Sequence, residues 1–253
     1  MAEAETYTAA LLIIGNEILS GRTTDANLPY IAKRLNELGI RLREVRVVAD
    51  IEAEVVDAVN ALRARYSYVF TTGGIGPTHD DITADCVAKA FGVALREDPE
   101  ARRRLEERYA EAGIELNEAR LRMARAPVGA VLIDNPVSAA PGFQIGNVFV
   151  MAGVPKIMQA MFESLRDRLV GGAPLLSRSI TCRLAEGLLA QGLGEIQARH
   201  EGVDIGSYPS YSSSGFGVAV VLRHTERAIL EAAAREVSDL IRGMGGEPVE
   251  QDL

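Results

Sequence analysis

Thr71-Thr72-Gly73-Gly74-Ile75-Gly76-Pro77-Thr78-His79-Asp80-Asp81 joins a β-rich run, Tyr68–Thr72, to a helical stretch that reaches Phe91. A strand, a tight glycine turn and a helix in that order form half of a βαβ unit. The same alternation lies upstream. Ala9–Ile14 is a continuous apolar run closed by Gly15, as suits a strand buried on both faces. Leu28, Ile31, Leu35 and Leu38 follow at helical spacing, Arg41–Val48 reads as a second strand, and Val55, Val56, Val59 and Leu62 stripe a second helix. The β-α-β-α-β-α order predicts an α/β fold with a mostly parallel sheet, helices on both faces and right-handed crossovers.

Downstream, Pro99–Met123 reads as a charged helix whose Arg102-Arg103-Arg104 triplet is balanced by Glu106 and Glu107. Val128–Ile133 and Gln144–Val150 read as strands, and Val154–Leu169 as a helix. Gly171-Gly172-Ala173-Pro174 marks a boundary, which predicts domains over residues 1–172 and 173–253. In the second, strands at Ser179–Leu184, Asp204–Tyr208 and Phe216–Arg223 accompany helices at Leu193–His200 and Glu226–Arg242, a small α+β domain.

The chain has 253 residues, 47% hydrophobic and 25% charged, which are globular values. Its net charge of −8 opposes a large duplex nucleic-acid surface. Cys86 and Cys182 alone make neither a disulfide framework nor a four-thiolate zinc site, and the absence of Trp argues against a base-stacking platform. Glu3 and Glu5 stand where a signal peptide carries basic residues, and Ala9–Ile14 is too short to span a bilayer. A cytoplasmic location without membrane contact is the expectation.

Ligands of open parallel sheets bind beyond the carboxyl ends of the strands. Two such ends carry unusual residues here: Gly15-Asn16-Glu17-Ile18-Leu19-Ser20-Gly21 and the glycine turn at 73–76. Neither is a P-loop or a dinucleotide fingerprint. The glycines would let backbone amides approach an anion beside a helix N-terminus, although a tight strand–helix turn explains them equally well. Asp80-Asp81 makes sense beside a phosphate if a divalent cation lies between, yet Thr78-x-x-Asp81 is also a capping-box pattern. Glu17 follows a strand directly, whereas Asp25 suits a helix cap better than a ligand. Ser20 and Ser138 are candidate donors to phosphate, with turn formation as the plain alternative for each. His79 and Lys156 are weaker candidates.

These segments, with Asp25-Ala26-Asn27 and Ala140-Pro141-Gly142-Phe143, resemble the N-terminal module of CinA-like competence/damage-inducible proteins, in the MoaB/MogA-like molybdopterin-binding superfamily. The resemblance runs from Thr8 to Leu169. The tail, with Tyr208-Pro209-Ser210-Tyr211, is similar to the KH-like domain that follows this module. The nicotinamide-nucleotide deamidase domain of longer relatives has no counterpart in the 253 residues, so deamidation is not expected.

The resemblance implies a three-layer αβα domain that binds a molybdopterin- or nucleotide-like ligand. It further implies a divalent metal (Mg, Mn or Co) and cleavage of a pyrophosphate bond in ADP-ribose or FAD. Carried onto this chain, Asp80, Asp81 and Glu17 would be catalytic, and Asp81, Asp80 and Asp25 would hold the metal. Ser20, Asn27, Thr72, Gly73, Gly74, Gly76, Thr78, Ser138 and Gly142 would contact the ligand. The family usually has Glu where this chain has Ile157, which would weaken hydrolysis and spare binding. The alternative is a pterin- or nucleotide-binding protein without hydrolytic activity. The seven Arg and eleven Asp or Glu between 175 and 253 argue against RNA binding there. The partners expected are a small nucleotide or pterin ligand and further copies of the chain, with no nucleic acid.

Overall fold

A strand without polar alternation is one that both faces bury. The structure, a computed structural model describing residues 6–212 and 215–252, shows this at the start of the chain. Ala9, Leu11 and Ile13 enter one apolar cluster while Ala10, Leu12 and Ile14 enter another, and all six are buried. By its internal contacts the chain forms two units, 1–172 and 173–253.

In the first unit the elements run β1 (Thr8–Ile14), α1 (Asn16–Leu19), α2 (Asn27–Glu37), β2 (Arg41–Val48), α3 (Glu52–Arg63), β3 (Tyr68–Thr72) and α4 (Thr83–Phe91). There follow β4 (Leu95–Glu97), α5 (Pro99–Glu111), α6 (Glu118–Leu121), β5 (Arg125–Pro127), β6 (Val131–Ile133), β7 (Gly142–Ile145), β8 (Val148–Met151) and α7 (Pro155–Leu165). The main sheet has the order β2-β1-β3-β8-β7-β6, parallel from β2 through β8, with β7 antiparallel to both neighbours.

Helices α3 and α4 cover one face through Val55, Val59, Leu62, Cys86 and Val87. The other face packs against α2 and α7 through Ile31, Leu35, Met158, Phe162 and Leu165. This is the three-layer αβα arrangement. Because β1 connects to β2 on one side and its other neighbour is β3, strand order reverses between β1 and β3. That reversal opens a crevice at the carboxyl ends of those strands. Ile13 pairs with Thr72 and Thr72 with Met151, so Gly15, Gly73 and Gly153 leave the sheet side by side.

Three expectations are corrected. Pro99–Met123 is not one helix: α5 ends at Glu111, the chain passes through Gly113, and a 3₁₀ turn covers Arg122–Ala124. Gln144–Val150 is not one strand but the hairpin β7–β8, turned at Gly146-Asn147, a pair that favours tight hairpin turns. Of Val128–Ile133 only Val131–Ile133 is strand, as β6; residues 128–130 are a turn that follows β5, which pairs with β4 in a separate two-stranded sheet.

The second unit consists of β9 (Leu176–Cys182), α8 (Glu186–Arg199), β10 (Asp204–Ser212), β11 (Gly215–His224), α9 (Arg227–Gly243) and β12 (Val249–Asp252). Its antiparallel sheet has the order β10-β11-β9-β12. Ile180, Val218, Val220 and Leu222 pack against Leu189, Ile196, Leu230, Val237 and Ile241 of the two helices. Strand β12 was not expected from the sequence; its short polar run adds to the edge of the sheet beside β9. Among the described residues no helix is long and apolar enough to cross a membrane.

Phe70 is fully buried at the centre of the first unit, stacked on Phe149 at 5.3 Å between ring centroids and tilted against Phe162 at 5.7 Å. Phe70→Ala is expected to cost about 3–5 kcal/mol through lost burial and the cavity left behind. A shift in the urea unfolding midpoint measures it, and a cost below ~1 kcal/mol would contradict this packing.

Candidate functional site

The glycine turn is shaped by what it has no room for. Gly73 takes φ 103°, and a Cβ there would lie 2.1 Å from the carbonyl oxygen of Ile14 at the end of β1. Gly74 takes φ 65°, and a Cβ there would meet Oγ1 of Thr83 at 2.2 Å. Thr83, fully buried at the start of α4, holds both residues: its Oγ1 donates to the Gly73 carbonyl at 2.9 Å, and its amide donates to the Gly74 carbonyl at 3.0 Å.

The bend's amides differ in use. Gly73 donates to the Met151 carbonyl at 3.2 Å and is committed to the strand ladder. The amides of Gly74, Ile75 and Gly76 find no acceptor among the described residues. Three successive open N–H groups in a glycine bend form a concavity suited to an anion.

The bend lines a cavity of about 510 Å³, a volume that suits a nucleotide-sized ligand. Glu17 and Asp81 bring carboxylates to this cavity, Thr23 and Ser138 bring hydroxyls, and Ile75, Pro77, Met123, Val154 and Ile157 form an apolar wall. Each acid lies over a glycine. A Cβ on Gly15 would come within 2.6 Å of the Glu17 carboxylate, and one on Gly76 within 2.6 Å of Asp81 Oδ2. The Glu17 carboxylate has no hydrogen-bond or ion-pair partner among the described residues. Asp81 Oδ2 accepts from the amide and the hydroxyl of Thr78, so the capping-box pattern closes a turn over 78–81 and α4 begins only at Thr83.

An adjoining cavity of about 60 Å³ is bounded by Asp25, Asn27 and Thr72, again with Glu17 and Gly73. Asn27 Nδ2 donates to the Gly153 carbonyl at 2.8 Å and ties the 15–27 loop to the end of β8. Asn27 Oδ1 and Thr72 Oγ1 are buried without a partner among the described residues. Buried oxygens of this kind normally meet water, a cation or a ligand donor. Another concavity, of about 520 Å³, lies elsewhere, beside α5. Its Arg104 pairs with Asp134 and Glu100, and it contains no part of the glycine bend.

Residues 10–170 match the family described as "probable molybdopterin binding domain", and residues 174–245 match the "FAD synthase, middle domain" family. The chain belongs to the CinA-like, MoaB/MogA-type molybdopterin-binding family. Proteins of Pyrobaculum calidifontis and Aeropyrum pernix are 36% and 35% identical to it, covering 80% and 96% of this chain and 80% and 97% of their own lengths. A probable FAD synthase of Caenorhabditis elegans is 32% identical over 93% of this chain, which spans 50% of that protein. The crystal structure of CinA from Thermoplasma acidophilum, a protein of unknown function, is 34% identical with a TM-score of 0.59, covering 64% of this chain and 98% of that one.

Within this CinA-like module, the geometry sorts the residues carried over from the resemblance. Glu17, Asp81, Gly73, Gly74, Gly76 and Ser138 share the large cleft, and Asp25, Asn27 and Thr72 line the small one. Asp25 Oδ1 accepts from the Leu28 amide at 2.8 Å and so caps the start of α2. Four residues line neither cavity. Asp80 turns outward, its side chain 61% exposed. Thr78 is occupied with Asp81. Ser20 is exposed and donates to the Glu17 carbonyl. Gly142 is a buried residue of β7 where a Cβ would strike the Val150 carbonyl at 2.2 Å, so its lack of a side chain serves strand packing. Four carboxylates therefore do not converge, and among the described residues no three His, Cys, Asp or Glu side chains are grouped to hold a metal. His79 is exposed, and Lys156 lies outside both cavities.

Three contributors escaped the sequence reading. Asp50 accepts from the Asn16 amide at 2.9 Å and orients the Glu17 loop; it follows β2 as Glu17 follows β1, a signal that was there to be read. The sequence assigns Thr83 no role. Asn135 accepts from the amides of Val137 and Ser138 and donates to Ser138 Oγ at 2.6 Å and to the Ala140 carbonyl at 2.7 Å, so it builds the wall that carries Ser138.

Thr83→Val removes the hydroxyl that satisfies the Gly73 carbonyl. The expected cost is about 1–3 kcal/mol, read as a lower urea midpoint together with faster amide exchange in residues 73–76. Unchanged exchange there would show that Thr83 does not hold the bend.

Proposed function

We propose that the cleft binds a nucleotide-like ligand through its diphosphate and that, with a divalent metal ion (Mg, Mn or Co), the module hydrolyses the pyrophosphate bond of an ADP-ribose or FAD class substrate. One observation carries the reading: Gly74–Gly76, whose amides find no acceptor among the described residues, line a single cleft together with Glu17, Asp81 and apolar side chains. The amides suit phosphate oxygens, and the wall of Ile75, Met123, Val154 and Ile157 suits the flat ring of adenine, flavin or pterin. Ser138 Oγ accepts from Asn135, which leaves its hydroxyl proton free to donate to the ligand. The FAD synthase name of a relative and the middle-domain match support a ligand of nucleotide type.

The donors fit a hard cation. They are oxygens only; Glu17 is unpartnered, and Asn27 Oδ1 and Thr72 Oγ1 are orphaned beside it. One or two carboxylates completed by substrate phosphates is a common way for Mg²⁺ to be held. Glu17 and Asp81 would hold the ion, with Asp25 at the rim of the adjoining cavity. When bound, the ion supplies positive charge to the phosphate oxygens and lowers the pKa of water. Asp81, engaged through Oδ2 by Thr78, keeps Oδ1 for that ion or for orienting the attacking water. Water adds to phosphorus, the bridging oxygen leaves, and ADP-ribose yields AMP and ribose 5-phosphate, while FAD yields AMP and FMN.

A second reading, ligand binding without hydrolysis, is favoured by one specific residue. Ile157 occupies the cleft wall where the family carries Glu, so an acid that would assist the metal is missing.

Incubation with ADP-ribose or FAD and Mg²⁺, Mn²⁺ or Co²⁺ is expected to release AMP. The release should stop in EDTA and fall by about a hundredfold or more in Asp81→Asn. Binding with no turnover under any metal favours the second reading, and absence of binding to both compounds overturns both. Ile157→Glu is expected to raise turnover severalfold where Ile157→Leu does not, as judged by the same AMP assay.

A further inference from the structure

The cleft is electrostatically one-sided. Glu17 and Asp81 line it, and among the described residues no Lys, Arg or His side chain does. A diphosphate adds further negative charge, and backbone amides answer it with partial charges only.

Full positive charge lies beside the bend. A cavity of about 20 Å³ is lined by Gly74, Ile75, Gly76 and Asp81 together with Arg122 and Arg125. Arg125 is engaged, since its Nη2 meets the Asp85 carboxylate at 3.0 Å. Arg122 is not neutralised. Its Nη2 donates to the Asp81 backbone carbonyl at 3.3 Å, and its Nε is buried without a hydrogen-bond partner among the described residues. It forms no ion pair with a carboxylate among the described residues. A guanidinium cannot shed its proton at any relevant pH, so the charge stays. Gly74 and Gly76 offer no side chain to separate that charge from the cleft.

We infer that Arg122 is a positioning residue for phosphate: it fixes the Gly74–Asp81 segment through the Asp81 carbonyl, and it sets a compensating positive charge beside the amides that receive a diphosphate. The inference rests on the diphosphate reading of the cleft. The 3₁₀ turn Arg122–Ala124 follows α6 directly and brings Arg122 to the Asp81 carbonyl.

Calorimetric titration of wild type, Arg122→Gln and Arg122→Lys with ADP-ribose, inorganic pyrophosphate and adenosine, in Mg²⁺, separates the roles. Arg122→Gln is expected to weaken ADP-ribose and pyrophosphate by roughly tenfold or more, to leave adenosine within about twofold, and to lose most of the ionic-strength dependence of phosphate binding. Arg122→Lys, which keeps the charge and loses the fork, should recover most of the affinity. Equal losses for adenosine and ADP-ribose, or an unchanged ADP-ribose affinity in Arg122→Gln, overturn the inference. Amide exchange of residues 74–81 without ligand is the second measurement, and Arg122→Gln should accelerate it. If the wild type binds none of the three compounds, the diphosphate reading has failed on its own, and unchanged exchange in Arg122→Gln then removes the positioning role as well.

Discussion

The site depends on the close approach of three chain segments around Gly73. The end of β1 presents the Ile14 carbonyl where a Cβ would be, and a Cβ on Gly153, after β8, would lie 3.2 Å from the Gly73 Cα. The hydroxyl of Thr83 pins the Gly73 carbonyl from the side of α4. Strand order reverses here, so the crevice would exist in any sheet of this connectivity. What the missing side chain adds is depth: the backbone itself becomes the floor, and its next three amides stay open. A positive φ at Gly73 and Gly74 is strain for any other residue and none for glycine, so this geometry costs little folding energy.

The two acids that share the cleft obey the same rule of economy. Glu17 and Asp81 each lie over a glycine, Gly15 and Gly76, so their carboxylates approach the backbone more closely than a side chain there would allow. They are held differently. Asp81 is anchored by Thr78 and its peptide by Arg122, while Asp50 orients the loop of Glu17 but leaves its carboxylate unbonded. On the proposed reading, one fixed and one free carboxylate would tolerate a ligand arriving in more than one pose.

Patterns of apolar spacing disclosed the layers, because burial on both faces of β1 and on one stripe of α2, α3 and α7 leaves a period in the residues themselves. Breaks that depend on a partner were harder to read. The end of α5, the two-residue turn at Gly146-Asn147 and the edge strand β12 are each decided by what packs or pairs alongside. For the site, loop composition pointed to Glu17, Asp81 and the bend. It pointed equally to Asp80 and Thr78, because nothing in a linear string says which of two adjacent acids turns inward. Gly142 drew attention as part of a glycine-containing segment, yet its glycine is explained by the Val150 carbonyl across the strand pair. Thr83, Asn135 and Arg122 act through backbone carbonyls and amides distant in sequence or hidden in a turn, and residue type alone carries no trace of that.

The charge pattern has a thermodynamic consequence for the proposed activity. Two carboxylates in a cleft without a basic side chain repel a diphosphate, and the open amides alone do not outweigh a full charge. A divalent ion reverses the sign: it is drawn by the acids, and its remaining charge then draws the phosphates. Metal and ligand should each strengthen the other by the same factor, as any pair of coupled sites must. The Ile157 wall enters on the other side of this balance. By replacing an acid with an alkyl group it lowers the negative charge opposing the ligand and gives the ring a dry surface, and both effects favour holding the ligand over reacting it. On the proposed reading, the residue that differs from the family's usual pattern would therefore shift the cleft toward affinity at the expense of metal-assisted turnover.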